Sequence, residues 1–123
     1  GNIGVYINGT TDTYGVALTS MSNSSQTLTN TADWAFGSID SSTWSQGIEM
    51  FMTDLAFFNV ALSAAEVTEL YNGGSPGDLL GHSQSSALTA YWKFNENTGT
   101  TVADEIGSND LTIDGATWST NVP

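Results

Sequence analysis

The sequence predicts an all-β chain, an antiparallel β-sandwich with one short helix, and three observations carry that expectation. Short runs of alternating apolar and polar residues recur along the chain, the period of a strand with one covered face. Clusters of Gly, Asn, Ser and Thr punctuate those runs at short intervals. A single segment carries helix start and stop signals, so strands and helices do not alternate as they would in a parallel sheet.

The first strand is predicted over 3–7, where Ile3, Val5 and Ile7 alternate with Gly4 and Tyr6. Asn8-Gly9 follows, the strongest short hairpin signal, because a type I′ turn needs positive φ at both central residues. The return strand is predicted over 14–19. Residues 20–33 are polar, with Met21 and Leu28 among them, and read as loop with room for one edge strand. Trp34-Ala35-Phe36-Gly37 reads as another strand. The longest strand is predicted over 48–60: Ile48, Met50 and Met52 share one face, Phe51 lies opposite, and Leu55-Ala56-Phe57-Phe58 is continuous, as in a strand covered on both sides.

The helix is written in Ser63-Ala64-Ala65-Glu66, a capping box in which Ser63 and Glu66 each satisfy the other's main-chain N–H. Leu62 before the cap and Val67 inside the helix are spaced as a hydrophobic staple. Val67, Leu70 and Tyr71 share one face, and Gly73-Gly74 offers a left-handed exit. Residues 75–87 then read as a connector with Leu79 and Leu80 pinned inward. In the second β block, Leu88, Ala90, Trp92 and Phe94 alternate with Thr89, Tyr91 and Lys93, the pattern of a half-buried strand. A short extended stretch is expected over 100–103. Leu111-Thr112-Ile113 and Ala116-Thr117-Trp118 read as two strands around Asp114-Gly115. The chain therefore divides as 1–74, a connector 75–87, and 88–123, all within one unit.

Composition narrows the function. Of 123 residues, 13 are Asp or Glu against one Lys and no Arg, a net charge of −12. Neutralising phosphates needs Lys and Arg, so nucleic-acid binding is excluded, and adhesion to anionic lipid is disfavoured. No apolar run is long enough for a membrane-spanning helix. With 39% hydrophobic residues and 13 aromatics the chain has material for a core. It has no cysteine, hence neither disulfides nor thiol chemistry. Richness in Ser, Thr and Asn with almost no Lys or Arg suits a protease-exposed place outside the cell. The sequence opens on Gly1 with no signal peptide in view, so a processed or excised piece of a longer protein is expected.

Several segments resemble one family. Val5-Tyr6-Ile7-Asn8-Gly9, the Gly47-Ile48 strand, Asp54-Leu55-Ala56-Phe57-Phe58-Asn59-Val60-Ala61-Leu62-Ser63-Ala64-Ala65-Glu66-Val67 and Leu70-Tyr71-Asn72 resemble the closing half of a laminin-G-like jelly roll. That family belongs to the concanavalin A-like lectin/glucanase superfamily. The stretch from Leu88 through Tyr91-Trp92-Lys93-Phe94-Asn95-Glu96 to Asp104 resembles the opening of the same kind of domain. The order is inverted, and the family's central strands, with their tryptophan–histidine stretch, have no counterpart. Three arrangements are compatible with this: a circular permutant, a slice through a tandem array, or chains that complete one another by strand exchange. The second and third would leave sheet edges that must be covered, and an edge covered by the next subunit would build head-to-tail assemblies.

Catalysis lacks raw material. Glycosidases of the superfamily set two carboxylates on one strand face. Glu49 and Asp54 are an odd number apart, and Asp104 and Glu105 are adjacent, so neither pair shares a face. His82 reads as a loop residue satisfied by a carbonyl, and Lys93 as an outward residue paired with a carboxylate. Calcium is the stronger candidate ligand: Asp104, Glu105, Gly107, Ser108, Asn109 and Asp110 offer the hard oxygens it takes. The resemblance implies calcium at a sandwich edge and adds Asp54 as the family's strand-end aspartate. The alternative is an Asx-rich turn with solvated charges. Trp34 and Trp92 read as core, whereas Trp44, in a polar loop, is the candidate to meet a glycan or another copy of the chain. Asn8 and Asn23 head Asn-Gly-Thr and Asn-Ser-Ser sequons and are candidate glycosylation sites. The expectation is a non-catalytic extracellular or virion-surface module for adhesion or self-assembly, or else a calcium-dependent glycan-binding one.

Overall fold

The computed structural model describes residues 6–11, 50–75 and 77–120. The chain divides into two compact units, one of residues 1–2 with 16–51 and one of residues 3–15 with 52–123. Apart from Met50 and Phe51, every described residue belongs to the second. Its strands are β1 (Tyr6–Ile7), β2 (Thr10–Thr11), β3 (Leu55–Phe58), β4 (Leu88–Trp92), β5 (Thr101–Val102) and β6 (Leu111–Thr112). Helix α1 (Ala64–Tyr71) and three 3₁₀ turns, at Asn72–Gly74, Leu79–Gly81 and Ser85–Ala87, complete it. The strands form three antiparallel ribbons, β1–β2, β3–β4 and β5–β6. A two-sheet sandwich is not evident among the described residues.

The Asn-Gly turn folds as its residues dictate. Asn8 and Gly9 have φ of 52° and 72°, and Tyr6 pairs with Thr11 and Ile7 with Thr10. The return strand therefore starts at Thr10 rather than at 14, because a two-residue turn leaves no intervening loop; 14–19 lie outside the described residues. So do the strand predicted over 34–37 and the start of the one over 48–60. That last strand is shorter than predicted. Asp54 has φ 51°, a left-handed kink that breaks the extended run, so pairing begins at Leu55.

α1 starts on the predicted capping box: Ser63 N–H donates to Glu66 Oε2 at 2.6 Å and Glu66 N–H to Ser63 Oγ at 3.4 Å. It ends one residue earlier than the glycines suggest. Asn72, with φ 41° and ψ 43°, takes the left-handed cap and donates its N–H to the carbonyl of Thr68. Asn tolerates this conformation better than other residues with a β-carbon.

β4 departs most from expectation. Its sequence reads as one buried face, yet Leu88, Ala90, Tyr91 and Trp92 are all buried and only Thr89 is exposed. Two causes act together: Leu79 and α1 cover the face of Tyr91, and a β-bulge shifts Leu88 onto it. Phe57 pairs with Ala90 and Phe58 with Leu88, so the register skips Thr89, whose hydroxyl donates to the Phe57 carbonyl at 3.2 Å. The extra residue moves Leu88 to the face of Tyr91. Leu88, Tyr91 and Leu79 then form one core with Ala56, Phe58 and the α1 residue Leu70. Ala90, Trp92 and Val102 form a second core with Leu55, Phe57, Phe94, Leu111, Ile113 and Trp118. The β3–β4 ribbon thus stands between α1 on one side and β5–β6 on the other. Phe57 meets Trp92 edge to face, with ring centroids 6.0 Å apart.

Two smaller differences concern the chain ends of these cores. Leu79 is buried as predicted, but Leu80 is 44% exposed. The hairpin predicted over 111–118 does not form. β6 pairs with β5 instead, in the register Thr101 with Thr112 and Val102 with Leu111, and 116–118 is not strand. The indole of Trp118 still closes the second core, donating Nε1–H to the carbonyl of Gly99 at 2.8 Å.

Candidate functional site

Residues 104–110 follow β5 and form a closed turn built on one carboxylate. Asp104 is 7% exposed. Its Oδ1 accepts the N–H of Tyr91 at 3.0 Å and of Ile106 at 3.1 Å. Its Oδ2 accepts the Asn109 N–H at 3.2 Å and the Asn109 side-chain amide at 3.0 Å. A carboxylate offers about four lone-pair sites, and four N–H donors fill them. Burial alone would push this carboxyl up, but the N–H groups of Tyr91, Ile106 and Asn109 and the Asn109 amide outweigh it and hold the value at about 2. The main-chain N–H of Asp104 in turn donates to Asp110 Oδ1 at 3.0 Å. Gly107 lies so close that a β-carbon there would stand 2.9 Å from Asp104 Oδ2, so glycine is required by proximity.

Tyr91 links this turn to a second carboxylate. Glu105 N–H donates to the Tyr91 carbonyl at 2.8 Å, so both main-chain groups of Tyr91 on that edge of β4 meet residues 104–105. Its phenol donates to Asp54 Oδ1 at 2.5 Å, and Thr53 donates its hydroxyl to Asp54 Oδ2 at 2.8 Å. Burial, then the Asp54 hydrogen bond and charge, push the Tyr91 phenol well above its ordinary value. Lys93, the chain's one strong base, sits 2.8 Å from Asp78 Oδ2 and 3.9 Å from Glu105 Oε2, with its Nζ 5.7 Å from the Tyr91 ring centroid. The Asp78 hydrogen bond raises the ammonium's pKa, and the same contact lowers that of Asp78.

The connector clasps α1. Gln84 donates to Glu66 Oε1 at 2.6 Å, and Ser83 donates both its N–H and its hydroxyl to Glu69. The Ser63 hydrogen bonds lower the Glu66 carboxyl, and those from Ser83 lower Glu69. His82 is 7% exposed and bridges the two segments. Its Nδ1 accepts the Gln84 N–H at 3.0 Å, which places the ring proton on Nε2, 3.1 Å from the carbonyl of Glu66. Nε2 also lies 3.5 Å from Glu69 Oε2.

Of the residues proposed for calcium, Asp104, Gly107, Asn109 and Asp110 come together in one turn, while Asp54 is joined to Tyr91. The described residues include no group of three or more acidic or histidine side chains arranged to hold a metal ion. The turn is organised by N–H donors around Asp104, and Asn109 turns an amide towards it. Asn8 is exposed at the tip of the β1–β2 hairpin, its turn resting against Tyr71. Trp44 and Asn23 lie outside the described residues. Tyr91 and the Asn72 cap are absent from the sequence-based candidates. Tyr91 carried no signal of its own, since its burial depends on Leu79 and on Leu70 of α1 covering the face opposite Ala90 and Trp92. Comparison with family models, with curated proteins and with solved structures finds no match.

Proposed function

We propose that this chain is a non-catalytic structural or adhesion module of the laminin-G-like, concanavalin A-like sandwich type. It acts outside the cell or on a virion surface and assembles with copies of itself by strand completion. The observation that carries this reading is that every sheet among the described residues has two strands. A two-stranded ribbon is marginal in water unless further strands or a packed layer support it. A strand added along β5–β6 from a neighbouring copy would give a head-to-tail contact. The internal chemistry agrees: Asp104, Asp54 and His82 spend their polar atoms on locking loops. The net charge of −12 would keep free copies apart until they dock. A glycan on Asn8 fits the same surface role.

Light scattering over a wide concentration range, with negative-stain micrographs of the same samples, tests this. Concentration-dependent oligomers or fibres are expected; a strictly monomeric chain at every concentration overturns the assembly. The calcium-dependent glycan-binding reading, which rests on the gathering of residues 104–110, is separated by thermal melts with calcium and with chelator. A calcium-raised melting temperature together with retention on a glycan array would favour it.

A further inference from the structure

We propose that Asn8 is a site of spontaneous deamidation, through a cyclic imide, and that the structure selects it over Asn72. The chain has two Asn-Gly steps, Asn8-Gly9 and Asn72-Gly73. Glycine matters because its amide nitrogen is the attacking atom and no side chain shields it. The backbone does not separate the two steps: Asn8 and Gly9 have φ of 52° and 72°, Asn72 and Gly73 of 41° and 68°. The side chains do. Asn72 donates its Nδ2–H to the carbonyl of Ser75 at 2.8 Å, and its own N–H caps α1, so its carboxamide is held in the cap. The Asn8 carboxamide is exposed and takes no hydrogen bond among the described residues. The hairpin carrying it is its own two-residue ribbon and shares a ladder with no other described strand, so local opening is cheap.

The step balances without a co-reactant other than water. Gly9 N loses its proton to solvent base and attacks Cγ of Asn8. A C–N bond forms, the bond from Cγ to Nδ2 breaks, and ammonia leaves. Water then opens the five-membered imide at either carbonyl, giving aspartate or isoaspartate and one added negative charge. Isoaspartate places an extra methylene in the main chain of a two-residue turn whose register is Ile7 with Thr10. Gly9 also sits where a β-carbon would be 2.8 Å from the Tyr71 side chain, so a reshaped turn cannot keep that contact. The nitrogen that leaves is the one a glycan would occupy, and the two fates of Asn8 exclude each other.

Aglycosylated protein held at mildly alkaline pH and sampled over time tests the selection, by peptide mapping with mass spectrometry and by isoaspartyl methyltransferase labelling. We expect a one-dalton gain and methyl acceptance at Asn8 several-fold faster than at Asn72, with methyl labelling of that peptide abolished in Asn8→Gln. Equal rates, faster conversion at Asn72, or conversion at neither would overturn the proposal.

Discussion

The main-chain N–H of Tyr91 ends on the carboxylate of Asp104, 3.0 Å from Oδ1, while the phenol of the same tyrosine ends on Asp54. One strand residue thereby ties the turn after β5 to the kink before β3. Both carboxylates act as main-chain or side-chain acceptors inside the fold, and the fold's response to mutation and pH follows from that.

Asp104→Asn should destabilise the protein by about 2–3 kcal/mol. The amide would present a donor to N–H groups that now meet an anion, leaving at least one of them unsatisfied in a buried place. Chemical denaturation should show a lower midpoint with an unchanged slope; a midpoint equal to that of the parent chain would remove Asp104 from its central role.

The same group sets an acid limit. Its carboxyl is lowered from 3.8 to about 2, so the native state favours the ionised form. The stability it contributes is complete above 3.8 and is lost as pH falls towards 2. Melting temperatures recorded down this range should fall steeply in the parent chain, and the Asp104→Asn variant should show a shallower fall.

At the other end of the scale, Tyr91 is raised above 10.0, so the native state favours the neutral phenol. Its contribution is present below 10.0 and is lost as pH rises beyond it. Tyr91→Phe should remove that alkaline loss, at a cost of about 1 kcal/mol at neutral pH for the missing hydrogen bond. Ultraviolet titration of the phenolates, which separates a late-ionising tyrosine from the other three, provides the check.

Lys93 is the only trypsin site in the chain, and it is held by Asp78 beside the end of β4. Native protein should resist trypsin, and unfolding should release two fragments, 1–93 and 94–123, in a single cut. Electrophoresis of timed digests tests this. Rapid cleavage under native conditions would mean that the Lys93 segment opens locally. Lys93→Gln should then lower the melting temperature in low salt more than in high salt, since the lost ion pair is partly exposed.

How far the sequence spoke for the fold differs from one residue to the next. The capping box and the Asn8-Gly9 turn were legible because each depends on neighbours within a few positions. The ion pair of Lys93 and the carbonyl contact of His82 were legible as kinds of interaction, although their partners, Asp78 and Glu66, were not named. The burial of Tyr91 was hidden, since period-two reading assumes one covered face and Leu79 with α1 covers the second; the shift of Leu88 was hidden because that reading assumes that no residue is skipped. β6 was misassigned to a hairpin because Asp114-Gly115 carries a local turn signal, whereas its pairing with β5 is set by Val102 and Leu111 meeting in the core. The cluster at 104–110 was visible as an oxygen-rich loop, but a list of oxygens does not say whether N–H groups already fill them.

A regular five-residue strand offers three side chains to one face and two to the other, and its sequence must choose which face is greasy. By adding one residue that the pairing register skips, β4 resets that count partway along. Leu88 and Tyr91 go to the helix side, Ala90 and Trp92 to the β5–β6 side. A single wall then serves two rooms. In a chain with one lysine, no arginine and no cysteine, where ion pairs are scarce and cross-links absent, that shared wall lets every apolar residue of a short strand count towards cohesion.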